Sequence, residues 1–400
     1  MFRQLCRTAI LTVTWLVLLP CLILLFSAIV PVIPWVRIEA VEVVPNRATW
    51  LLLIGCGGIA VGLIAHRRRA TAPTRALLAT AIATTAAAAL VVGRLLALAH
   101  DNGIAIDLIA SLSTRHFSEH ATPDETHVYA TPGGEPLSLD IYRPTVAGPT
   151  RLSPVIVVVH GGGFVGGDRR ISAANMRHYA RGGWTVISID YRLARPGRPT
   201  WNLAIRDVHC ALAWTVAHAR ALRLDLDRVA LNGASAGGNL AIAAAYTVNT
   251  ARADPRCGPR LPRIVAVTAR VPLIDPAGSW NNPGDLQPVQ RSYMTTYIGG
   301  PPRAVPERYA ALDLRRLLDD SNPPTLILAG VEDPLLPIAA ARDFTRRAHA
   351  IGARVRLVEF PYSGHDFNTT YHSITNQIIT GSVTRFLADA TDRRNLAIRR

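Results

Sequence analysis

Apolar residues fall along this chain in two rhythms. In the first hundred residues they come in long unbroken runs, over residues 9–36, 50–65 and 76–99, the last interrupted by Arg94. A helix of about 20 apolar residues is long enough to cross a bilayer, so these runs predict transmembrane helices. The first, flanked by Arg3, Arg7 and Arg37, exceeds the roughly 15 apolar residues of a cleavable signal peptide and reads as an anchor. The third is rich in alanine and threonine and admits a second reading, as a surface helix.

Beyond a polar connector at residues 100–125 the rhythm changes. Residues 126–144 read as two strands joined by a turn at residues 132–135. Short β-branched runs follow at residues 155–159, 184–189, 228–232, 264–271, 325–330 and 354–360. Strands that are apolar on both sides belong in a parallel sheet covered on both faces. Between them, residues 172–181, 203–221, 237–247, 338–350 and 373–388 carry helical spacing; in the second of these Val208, Ala211, Leu212, Trp214 and Thr215 form one apolar face. The alternation predicts an α/β domain over residues 126–400, a mostly parallel, doubly wound sheet preceded by transmembrane helices, with ligands bound beyond the carboxyl ends of the strands.

Charge adds the orientation. The stretch HRRRATAPTR at residues 66–75 holds four arginines, the mark of a cytoplasmic loop. Arg3 and Arg7 place the first residues on the same side. With three spans, a multi-pass plasma-membrane protein results, and everything after His100 faces outward; if the third run is a surface helix, the remainder stays inside. The net charge of +15 divides into +7 over residues 1–99 and +8 dispersed over the rest. It therefore points to topology and an anionic membrane surface as partner, and not to nucleic acid. Of five cysteines, only Cys210 and Cys257 lie in the α/β part; a disulfide between them is one option, and no zinc-type spacing is present.

The chemistry gathers after the strands. LNGASAGGNL at residues 231–240 contains GxSxG, in which small residues let a strand turn at once into a helix and expose the hydroxyl of Ser235 as a nucleophile. HGGGFVGGD at residues 160–168 places glycine backbone N–H groups where an oxyanion would form. Gly162 and Gly163 are the expected donors, joined by the N–H of Ala236; Gly161 shapes the turn and His160 braces it. A serine needs a base, and His365 in PYSGHDF follows the last strand. The base needs an acid to fix its tautomer. Asp333 in GVEDPLLP supplies one, with Glu332 and Asp366 as weaker candidates. The chain order Ser235, Asp333, His365 is the one expected on this fold.

HGGGF, IDYRLA, GASAGGN, GVEDPL and SGHDF together resemble the hormone-sensitive-lipase-like branch of the α/β-hydrolases, including bacterial acetyl and feruloyl esterases, over about residues 126–388. The resemblance implies hydrolysis of carboxylic esters, small-molecule or lipid, through an acyl-serine intermediate, with no cofactor or metal. It makes Ser235, Asp333 and His365 the triad, and it implies that Asp190 and Tyr191 hold the oxyanion loop. Ala234 stands where many members have aspartate, and Arg195 stands where proline is usual. Amide or prenylcysteine methyl-ester hydrolysis is an alternative, and a catalytically idle membrane scaffold is an alternative of another class. Trp280, Tyr293, Met294 and Tyr297 are candidate pocket walls, with ordinary packing an equal option for each.

Overall fold

The computed structural model describes residues 2–30, 34–117, 121–145, 152–253, 257–258 and 260–392. Residues 31–33 of the first apolar run and the last eight residues of the expected α/β domain lie outside these. In chain order the elements are α1 (Phe2–Ile29), α2 (Pro34–Arg68), α3 (Ala72–Asp101), β1 (Glu125–Ala130), β2 (Leu137–Tyr142), β3 (Ser153–Val159), α4 (Ala173–Arg181), β4 (Thr185–Ile189), α5 (Ala204–Ala217), α6 (Ala219–Leu222), β5 (Leu224–Ala234), α7 (Ala236–Asn249), β6 (Ile264–Arg270), α8 (Pro276–Asn281), α9 (Gln287–Ile298), α10 (Pro306–Leu312), β7 (Thr325–Gly330), α11 (Ile338–Ala350), β8 (Val355–Phe360) and α12 (Ile374–Thr391). By internal contacts they divide into two units, one comprising Met1–His116, Gly330–Asp333 and Phe360–Ile379, the other Phe117–Ala329, Pro334–Glu359 and Thr380–Arg400.

The second unit is built on an eight-stranded sheet of order β1-β2-β4-β3-β5-β6-β7-β8. The hairpin β1–β2 and the β2–β4 pair are antiparallel, and β4, β3, β5, β6 and β7 run parallel. Val155, Val157, Val159, Leu231, Val267 and Ile327 are all buried in one core with the apolar faces of α5 and α7. Burial on both sides is why these strands carry no polar alternation. Cys210 in α5 is disulfide-bonded to Cys257, with Cα atoms 4.9 Å apart, within the span such a bridge requires.

In the first unit α1, α2 and α3 are long and apolar enough to cross a membrane. They pack where side chains are small: a Cβ at Gly58 would press on Leu18 and Ala81, and one at Gly55 on Thr85. Close backbone approach at small residues is how helices associate without a hydrophobic drive between them. The helix bounds differ from the apolar runs. Pro34 to Val36, which the sequence assigns to the first span, belong to α2, and α2 begins sixteen residues before the second run. A break at Arg47 (φ −124°, ψ 15°), two residues after Pro45, separates its charge-bearing first part from its apolar second part, as expected where proline removes a helical donor. Just past the break, Thr49 Oγ1 lies 2.8 Å from Ser111 Oγ and Trp50 Nε1 donates to the Leu112 carbonyl at 3.0 Å. The start of the apolar part of α2 and the end of α3 therefore share one end of the helix bundle.

Candidate active site

Ser235 occupies the single residue between β5 and α7 with φ 52° and ψ −118°. A left-handed φ is costly for any residue with a side chain. Here the geometry is over-determined: Ser235 N donates to Arg270 O on β6 at 2.8 Å, and Asn239 N donates to Ser235 O at 3.1 Å. Neither flank has room for a side chain. A Cβ at Gly233 would strike the Gly237 carbonyl, and one at Gly237 would strike the carbonyl oxygens of Val159 and His160. The small residues of LNGASAGGNL are thus needed for contact with the neighbouring β3 loop as well as for the turn.

That loop begins at His160, directly after β3. Gly162 has φ 115° and Gly163 φ 60°, values that turn successive peptide groups and that glycine alone adopts at little cost. Gly161 lies against Ser235, where a Cβ would stand 3.5 Å from the serine Cβ. Gly161 is thus brought against Ser235, with Gly162 and Gly163 next to it in the same loop and Ala236 opening the helix that Ser235 precedes.

His160 braces the loop. Its Nδ1 donates to the Gly161 carbonyl at 2.7 Å, its ring stacks on Tyr191 with centroids 4.4 Å apart, and Tyr191 Oη donates to its carbonyl at 3.0 Å. Burial pushes the imidazole below its ordinary range, against the opposing hydrogen bond to Gly161. A neutral ring already committed to a carbonyl suits support and not proton transfer. Asp190 acts one shell further out, accepting from Arg169 N at 3.0 Å and from the Arg169 guanidinium at 2.7 Å. Tyr129 Oη on β1 donates to the Asp190 carbonyl at 2.5 Å, a support that no local motif announces.

Of the expected pocket walls, Tyr293 lies over Gly163, which a Cβ would bring within 2.8 Å of its ring. Tyr297 is fully buried and stacks on Phe164 with centroids 3.7 Å apart. Met294 is buried in the core, and Trp280 packs edge-on to Tyr309. Tyr293 and Tyr297 thus border or brace the glycine loop, whereas Met294 and Trp280 serve packing.

In the first unit, Asp333 follows β7 and His365 follows β8. His365 Nδ1 donates to Asp333 Oδ2 at 2.8 Å, with the carboxylate side chain 1% exposed. The bond fixes the tautomer that leaves Nε2 as the basic nitrogen. Glu332 instead pairs with Arg37, and the Asp366 residue is exposed, so the stronger acid candidate is the one beside the imidazole. Sequence reasoning missed what surrounds His365. Glu42 on α2 accepts from His365 N and Asp366 N, each at 2.6 Å. Among the described residues no group of His, Cys, Asp and Glu gathers as a metal site would.

The BD-FAE family model matches residues 139–347. The chain is 30% identical over 255 residues to esterase LipC of Mycobacterium tuberculosis, covering 59% of this chain and 58% of that relative. It is 30% identical over 244 residues to an ethyl acetate hydrolase of Pseudomonas putida, covering 59% and 73%. It therefore spans less than two thirds of LipC's length. The solved structure of esterase LipW from Mycobacterium marinum superimposes with a TM-score of 0.54 at 25% identity, over 74% of this chain and 85% of that one.

Proposed function

The chain belongs to the BD-FAE family of α/β-hydrolases, and from that premise we propose that it is a membrane-anchored serine carboxylesterase acting through an acyl-serine intermediate. Ser235 is the nucleophile, His365 the base and Asp333 the group that orients it. His365 takes the hydroxyl proton as Oγ attacks the ester carbonyl. The N–H groups of Gly162, Gly163 and Ala236 receive the oxyanion. His365 returns the proton to the departing alkoxide, then activates the water that frees the acid.

The observation that carries this reading is the backbone of Ser235, held at φ 52° at a strand-to-helix turn against Gly161. Strain of this kind persists where function requires a side chain to be presented. The 2.8 Å bond between Asp333 and His365 supports the assignment of acid and base. So does their chain position, each following a different strand, β5, β7 and β8.

The test is covalent labelling of the full-length protein in membranes with a fluorophosphonate, joined to a panel of p-nitrophenyl esters, amides and methyl esters. An adduct on Ser235 and turnover of the esters are expected. Folded protein that takes no label would leave the idle-scaffold reading, and amide turnover exceeding ester turnover would change the substrate class.

For the anchor, we propose three spans with the hydrolase domain, residues 126–400, on the outer face of the plasma membrane. The arginines of residues 66–75 and the Cys210–Cys257 disulfide favour this orientation, since such bridges persist in oxidising compartments.

A further inference from the structure

The charge-bearing first part of α2 makes contacts that an anchor alone does not need. Within residues 37–46, three side chains and one carbonyl bond to the loops of the acid and the base. Glu42 Oε1 and Oε2 accept from the backbone N–H groups of His365 and Asp366, both at 2.6 Å. The Val41 carbonyl accepts from Gly364 N at 2.9 Å. Asn46 donates from Nδ2 to the Asp366 carbonyl at 2.9 Å and accepts at Oδ1 from Thr370 N at 3.1 Å. Arg37 pairs with Glu332, beside Asp333. The fit is close: a Cβ at Gly364 would strike the Glu42 carboxyl group and press on Val41, so the glycine of SGHDF is required by α2.

We infer that Glu42 is a positioning residue for the base, holding the His365 backbone through two N–H groups so that the imidazole keeps its place. The helix that follows the first span is then part of the catalytic apparatus. This rests on the reading of His365 as the base. Glu42 touches no reacting atom and acts only through the loop. Misplacing a catalytic group by about 1 Å costs on the order of 100-fold in rate, and two hydrogen bonds from one carboxyl group fix both position and rotation of the peptide they hold.

The test uses the full-length protein in membranes with Glu42→Ala and Glu42→Gln. Alanine removes both acceptors; glutamine keeps the shape and one acceptor. For E42A, kcat and the rate of fluorophosphonate labelling at Ser235 should fall together by about 10- to 100-fold, with KM changed less than about twofold and the melting temperature near that of wild type. E42Q should recover part of the loss. Wild-type kcat in E42A overturns the inference. So does a loss in both variants that follows a lowered melting temperature, since that is a structural role alone. A wild-type protein that neither turns over esters nor takes label fails earlier and removes the esterase reading itself.

Discussion

Ser235 carries a conformational cost on the order of 1 to 3 kcal/mol for its positive φ, and that conformation is held by backbone hydrogen bonds to Arg270 and Asn239. Ser235→Ala should therefore leave thermal unfolding nearly unchanged while lowering kcat by more than about 1,000-fold; turnover that survives would show that the nucleophile is elsewhere. His160 responds to a different variable. Its folded-state pKa is depressed by burial, so the unfolded chain binds the proton more readily. The stability that this residue contributes is complete above its unfolded pKa of about 6.5 and is lost as pH falls through the folded value. Melting temperatures measured between about pH 7 and pH 5 should decline less steeply in His160→Gln than in wild type. Equal slopes would mean that other groups govern the acid limb.

Among the elements, the disulfide gives the cleanest handle. It ties α5 to the segment after α7 across 47 residues, and closing a loop of that size is worth about 2 to 4 kcal/mol. Replacing Cys210 and Cys257 together by alanine should lower the melting temperature, with reductant reproducing the shift in the parent protein and having no effect on the variant. How far the elements were legible follows from what each one contacts. The strands at residues 155–159 and 325–330 and the helices at 203–221 and 338–350 were readable because burial imposes their patterns locally. The helices α8, α9 and α10 were not. Their segment mixes prolines, glycines and polar residues, and it is tied down by Tyr297, Ile298 and Tyr309, which bury in the domain core. The early start of α2 was hidden for the opposite reason. Its Glu39, Glu42 and Arg47 interrupt the apolar pattern, and the partners of Glu42 lie 323 residues away. The motifs that located Ser235, Asp333 and His365 are local and could be read directly; the residue that grips His365 carries no local signature.

For the whole molecule, the shared end of α2 and α3 makes a prediction about sides. The last turn of α2 and the loop after it hold three consecutive arginines, Arg67, Arg68 and Arg69, so reporter fusions placed after Arg69 and after Asn102 should report opposite faces of the membrane; the same face for both would reduce α3 to a surface helix. The grip of α2 on the loop after β8 also bears on how the protein comes into being. Val41, Glu42 and Asn46 are synthesised long before Gly364, His365 and Thr370 exist, and contacts between residues so far apart in the chain form slowly. The grip of α2 on the His365 loop can therefore close only after the last strand, β8, has been made.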